Sequence, residues 1–344
     1  MIFPIFCRLN SLNCYAYSKL WHKCFTMDLR AADFSLIMRQ SKSWLYADML
    51  EKPEELALFR KPEDGGLGLL HVQQRALACQ ISSFLETACS LKFTRNQFHE
   101  ALFRSHVLGD ISENIVIPPY FKGDFFPTIK RIENSPLNVA KLSLKEIYRF
   151  MLEETTHHEP EGQHHGQHLL KPLRVETACP QVVWKRSWIK SKQKSLGPSL
   201  TSFLFKLLHQ ILPTAERVAR ILPNHSPHCT HCRGEQPTVE SLSHALFECR
   251  SNQGTGTVLL HGIQKYLPSI TTQDILQLNF DDNEEMDFPI VWCIATFLSS
   301  LWQLRADKKK VELIKIRSDM EAQVRLLRES RLTNTTDMIS NIFD

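Results

Sequence analysis

The sequence predicts a mainly α-helical protein, with helices on either side of a small cysteine-and-histidine knuckle. Three observations carry that prediction. Apolar residues recur at helical intervals, most clearly at Phe203, Leu204, Leu207, Leu208 and Ile211. The run Phe288 to Leu304 carries no charge and reads as a buried helix. Residues 308–332 alternate apolar and charged positions in the manner of an amphipathic helix on the surface.

The 344 residues suffice for two or three domains and a real core. Charge is mixed, with a formal net of +4, so any basic surface has to be local. Ten cysteines at this length fall far below the density of a disulfide scaffold. Cys79, Cys89 and Cys293 sit singly in apolar segments, where packed thiols are expected. That usage points to a reducing compartment, nuclear or cytoplasmic, and the opening MIFPIFCRLN lacks the charged start of a secretory signal. The uncharged run at 288–304 falls short of the ~20 residues a span needs. No membrane segment is therefore expected.

Taken in order, residues 1–110 read as one helical region. Phe34, Ile37, Met38, Trp44, Leu45 and Met49 suggest a first long helix. PEDGGLGLL then breaks it with Gly65, Gly66 and Gly68, which permit a tight turn. These glycines lack both the G-x-G-x-x-G spacing and a P-loop ending, so the turn is structural. A second helix follows through Val72, Ala76, Ala78, Ile81 and Phe84. Residues 111–154 start as an extended connector, PPYFKGDFFPTIKRIENSP, and end in a helix over 142–154 with Ser143 as its N-cap. His157, His158, His164, His165 and His168 fall in a glycine-containing tract over 155–170, read as a solvated linker. The knuckle region spans 171–255. Pro213 is placed to open a helix carrying Val218, Ile221 and Leu222. Helices are expected over 256–332, and 333–344 should fray.

The chemistry concentrates at Cys229, Cys232, His244 and Cys249. A C-x-x-C turn converges two thiolates on one ion, and His244 and Cys249 lie a helical turn plus one residue apart. Three sulfurs and one imidazole favour tetrahedral zinc. Because protein fills all four places, such a site is structural, with no position for a catalytic water. His228 and His231 are competitors; His231 ranks well below His244 because a ligand between the cysteines would distort the turn.

A second cluster, Trp184, Lys185, Arg186, Trp188, Lys190, Lys192 and Lys194, has two readings. The cations and indoles suit phosphates and unpaired bases of RNA or DNA. Equally, the tryptophans can face the core and the lysines water. The basic set Lys308, Lys309, Lys310, Lys315, Arg317, Arg325, Arg328 and Arg331 is diluted by acids and reads as a solvated face.

The order Trp188, FLFKLLHQILPTAERVARI, C-x-x-C, Glu240, His244 and Cys249 resembles the CCHC-type zinc-binding region at the end of LINE-type (non-LTR) retrotransposon reverse transcriptases. IVWCIATFLSSLWQLR is similar to the apolar helix that follows the knuckle there, and FRKPEDGGLGLLHVQQRALA to the thumb and post-thumb region. The resemblance implies a thumb-like part over 1–110, a zinc-binding domain over 171–255, nucleic-acid partners, and a separate reverse-transcriptase core that is encoded elsewhere or lost. It does not imply an enzyme. Family members carry an adjacent aspartate pair after Tyr/Phe-x, whereas WLYADML has Asp48 followed by Met49. The chain is thus expected to be a nucleic-acid-binding fragment without a polymerase palm or endonuclease. The alternatives are a zinc-stapled protein-interaction module or a retrotransposon relic without function.

Overall fold

The computed structural model describes residues 3–24, 30–47, 49–90, 125–135, 142–154, 172–232, 237–252, 254–281, 284–307 and 311–329. Among them the architecture is mainly α, as the spacing of apolar residues predicts. The helices are α1 (Ile5–Ser11), α2 (Tyr17–Cys24), α3 (Ala31–Leu45), α4 (Glu55–Phe59), α5 (Val72–Ser90), α6 (Phe125–Asn134), α7 (Leu144–Glu154), α8 (Arg174–Ala178), α9 (Trp184–Lys190), α10 (Gly197–Leu208), α11 (Ala215–Ile221), α12 (Thr255–Gln264), α13 (Thr272–Gln277), α14 (Glu284–Ala306) and α15 (Leu313–Glu329). A single antiparallel bridge, His228 with Val239, is the β pairing among the described residues.

The chain forms two compact units. One comprises Arg8–Leu45 and Leu69–Lys171; the other comprises Met1–Cys7, Tyr46–Gly68 and Pro172–Asp344. Residues 1–110 are therefore shared between units rather than forming one region. The histidine tract over 155–170 lies outside the described residues, as does the tail over 333–344.

In the first unit, α5, α6 and α7 build a core from Ala78, Ile81, Leu85, Phe125, Ile129, Ile132, Ile147 and Met151. The expected extended connector is corrected here, because 125–134 is helical. Phe125, Ile129 and Ile132 recur four and three apart, which stacks them on one face. Pro127 sits in the first turn, where a missing N–H breaks no helical bond. Ser143 caps α7 as expected: its Oγ accepts from the Glu146 N–H at 3.3 Å, and the Glu146 carboxylate accepts from the Ser143 N–H at 2.8 Å. The first long helix stops at Leu45, before Met49. Arg8 donates to the Leu45 carbonyl at 2.9 Å, satisfying an acceptor that the helix end leaves open.

In the second unit, α14 is the central element. Ile290, Val291, Trp292, Cys293, Ile294, Ala295, Phe297 and Leu298 are all buried, so the helix is covered all round rather than on one stripe. Helices α9, α10, α12 and α15 pack on it. No helix among the described residues is long and apolar enough to cross a membrane. Helix α15 buries Ile316, Met320 and Val324 at intervals of four and exposes Lys315, Arg317, Asp319 and Glu321, as an amphipathic helix should. Pro213 falls two places before the start of α11. Thr214 is the cap, accepting from the Arg217 N–H at 3.4 Å. Ile221 and Leu222 are partly exposed rather than part of a buried face.

The glycine turn belongs to this unit and is structural. Gly65 and Gly68 have φ of 82° and 73°, conformations that a Cβ disfavours. A Cβ on Gly65 would also lie 2.6 Å from the Trp188 indole. The Gly65 carbonyl accepts from His209 Nε2 at 2.8 Å, so the turn is packed against α9 and α10.

Candidate metal centre

The centre is assembled from two backbone devices. The first is the bridge: the Cys229 N–H donates to the Thr238 carbonyl at 2.8 Å, and the Glu240 N–H donates to the Pro227 carbonyl at 2.9 Å. It pins the C-x-x-C turn beside the segment that leads to the second pair of ligands. The second device is a π-helical turn, His244–Glu248, closed by the Cys249 N–H donating to the His244 carbonyl at 2.8 Å. An α-helix turns about 100° per residue and would set residues five apart about 140° round its axis. The wider π turn draws them back toward one side. Spacing alone placed these ligands on an ordinary helical turn; the π geometry has no sequence signal of its own.

The result is convergence. The ligand atoms of Cys229, Cys232, His244 and Cys249 all lie within 4.8 Å of one another. Cys229 Sγ and Cys249 Sγ are 3.7 Å apart, Cys232 Sγ and Cys249 Sγ 3.5 Å, and Cys232 Sγ and His244 Nε2 3.4 Å. A tetrahedral ion with metal–sulfur bonds of about 2.3 Å and a metal–nitrogen bond of about 2.0 Å has edges of about 3.8 Å and 3.5 Å. These three edges match and the other three lie within 4.8 Å, so the donor set can hold one metal ion. Neither His228 nor His231 joins the group.

The surroundings are polar and buried. Ser251 Oγ lies 3.0 Å from Cys249 Sγ. Arg305, at the end of α14 and only 4 % exposed, donates to Asn252 Oδ1 at 3.1 Å and reaches Cys229 Sγ at 3.7 Å and Glu240 Oε1 at 3.4 Å. Asn252 in turn donates to the Ala245 carbonyl at 2.8 Å. Burial pushes the Cys229 thiol up to about 11, against hydrogen bonds that favour its thiolate. Burial opposes the Cys249 thiolate too, but hydrogen bonds from Ser251 and Arg305 outweigh it and bring Cys249 down to about 7. Arg305, Asn252 and Ser251 were missed in the sequence. The available signal was one arginine closing the uncharged run of α14.

Helix α12 approaches the π turn closely at Gly256, where a Cβ would meet the Leu246 carbonyl and lie 2.9 Å from Phe247 Cα. On its other side, Ser241, Leu242 and Ser243 form one wall of a cavity of about 260 Å³, with Arg217 and Arg220 among the other lining residues. Both arginines are engaged, with Glu51 and Glu216 respectively. Among the described residues no histidine or cysteine lines this cavity.

The basic tryptophan segment forms α9 and takes the core-facing alternative. Trp184 and Trp188 are buried and stacked at 5.2 Å, and Trp188 stacks in turn on His209 at 5.0 Å. Their indole N–H groups donate to the Cys179 carbonyl and to Glu176, each at 3.0 Å. Base stacking on these two residues is thus corrected: their faces and donors are already used. Lys190 is buried too, its ammonium over the Phe280 ring at 3.7 Å and bonded to the Phe280 carbonyl. Lys192 Nζ lies 3.5 Å from the Phe6 ring centroid, and burial lowers it to about 7. Lys185 and Arg186 are exposed, with Arg186 3.5 Å from Asp281. The Lys194 side chain lies outside the described part.

The second basic set is a solvated face where it is described: Lys315 and Arg317 are exposed, and Arg317 pairs with Glu321 at 3.4 Å. In WLYADML, Tyr46 is buried just beyond α3, and Asp48 lies outside the described residues.

A scan against protein-family models finds no match for this chain. No curated protein matches it.

Proposed function

We propose that Cys229, Cys232, His244 and Cys249 hold a structural zinc ion, and that the chain works by binding, as a zinc-stapled helical module, rather than by catalysis. The convergence of four protein ligands with tetrahedral edge lengths carries this reading. Soft sulfur with imidazole selects zinc among the common divalent ions, and four protein ligands leave no open position for water. Unpaired buried thiols at Cys24, Cys79 and Cys293 suit a reducing setting, nuclear or cytoplasmic.

The proposal extends to origin. The ordered motif from Trp188 to Cys249 supports a terminal segment of a LINE-type reverse transcriptase, working beside a polymerase core carried elsewhere. Within that origin, protein interaction is the favoured role, because α9 spends both tryptophans and Lys190 on the interior. Nucleic-acid binding is the second reading, supported by the exposed Lys185 and Arg186.

The test is a salt series of RNA and single-stranded DNA binding by the zinc-loaded protein, read by fluorescence anisotropy. The favoured role predicts no salt-sensitive binding. Binding that falls steeply with salt, and that Lys185→Glu with Arg186→Glu abolishes, would establish the second role instead.

A further inference from the structure

The inference concerns Arg305 and rests on the zinc reading above. Its guanidinium is one of the least exposed charges in the protein, at 4 %. Its neighbours are the sulfurs of Cys229 and Cys249, the Glu240 carboxylate and the Asn252 amide oxygen. Nothing about holding α14 in an apolar core calls for a charge at this place. A hydrophobic residue would close the helix at lower cost, since a buried cation has to be matched by anions or strong acceptors.

The geometry points to Arg305 as the outer-sphere counter-ion of the metal centre, and as the link that makes metal loading and the seating of the last turn of α14 one event. Three thiolates, a neutral imidazole and a divalent ion carry one net negative charge. A guanidinium hydrogen-bonded to the Cys229 sulfur and lying beside that of Cys249 offsets it within the buried cluster. Glu240 and Asn252, at 3.4 Å and 3.1 Å, hold the two ends of the fork and fix its plane. Asn252 also ties the fork to the π turn through the Ala245 carbonyl. An ion that fixes Cys229 and Cys249 therefore also fixes the acceptors to which α14 is anchored. Lysine does not replace this: it is a compact charge without a planar fork, so it cannot serve the Cys229 sulfur, the carboxylate and the amide together.

The test measures zinc affinity by competition with a chromogenic chelator in the wild-type protein, Arg305→Lys and Arg305→Met. Both variants should bind zinc about 10- to 100-fold more weakly, the loss usual for an outer-sphere partner of a metal ligand. With cobalt(II) in place of zinc, the sulfur-to-metal charge-transfer band should move to longer wavelength in both variants, because unbonded thiolates give up electrons more readily. In the wild-type protein, hydrogen exchange of the amides from Leu301 to Ala306 should slow on zinc loading. If Arg305→Met does not fold, Arg305→Lys and the wild-type exchange still decide. Wild-type affinity with an unmoved band in Arg305→Lys overturns the role of Arg305 and leaves the zinc reading standing. So does exchange at 301–306 that ignores zinc. A wild-type protein that takes up no zinc overturns both.

Discussion

Cys232 contributes a thiol to the C-x-x-C turn and approaches both other ligands of the second pair. Cys232→Ser should lose the ion and unfold the knuckle locally, since metal binding and local folding are coupled. Zinc content by atomic absorption and limited proteolysis check this; full zinc and unchanged protease resistance would refute it. His209 makes a different kind of prediction. Burial is the main reason it is held down to about 4 from 6.5; the Gly65 carbonyl opposes the shift, and Lys192 and Arg60 add to it. Its Nε2–H donates to that carbonyl in the neutral form. Between pH 6.5 and 4 the unfolded chain takes up a proton there that the folded chain refuses. Stability is thus complete above 6.5 and falls as pH drops through that window, by about 3 kcal/mol from this residue. Denaturant melts at pH 4.5, 5.5 and 7 should show the slope, and His209→Gln should flatten it. Gly65→Ala should cost at least about 2 kcal/mol, from its positive φ and the contact with Trp188. A denaturant midpoint within error of wild type would contradict that.

Among the elements, α9 shows best what the pattern of residues reveals and what it withholds. WKRSWIK reads equally as a stacking surface or an amphipathic helix, because both need the same residue types. Only the partners decide: Glu176, Cys179, His209 and Phe280 come from elsewhere in the chain and use up the indoles and Lys190. Charge reversal therefore separates positions five residues apart on one helix. Lys185→Glu should change stability by less than about 0.5 kcal/mol, as at ordinary surface sites, while Lys190→Glu buries a carboxylate against a carbonyl and should cost at least about 3 kcal/mol. Paired urea melts would measure the difference, and equal effects would exclude this packing. The apolar run of α14 and the glycine turn were legible because each uses a residue type that few other environments accept. Helix α6 was not, since prolines at 118, 119 and 127 masked the spacing of Phe125, Ile129 and Ile132. The four ligands were legible from spacing. Their supporting shell was not, because Arg305 lies far along the chain and Asn252 in an unremarkable turn.

At the scale of the molecule, the metal should act on one unit and spare the other. Free zinc at a thousand times its Kd should stabilise the unit holding the knuckle by about 4 kcal/mol. Thermal melts with zinc and with chelator should then show one transition that moves and one that stays. A single transition, or two that move together, would contradict independent units. The interleaving of the units carries a last consequence. Arg8–Leu45 and Leu69–Lys171 both precede Pro172, so every segment of the first unit has been synthesised before most of the second exists. The second unit needs Tyr46–Gly68 together with α14, whose last residue is Ala306. On the ribosome, the glycine turn must therefore wait for Trp188 and His209, which follow Gly65 by 123 and 144 residues. In that interval the nascent chain is half-folded by construction, and its early apolar segment is the part a chaperone would hold.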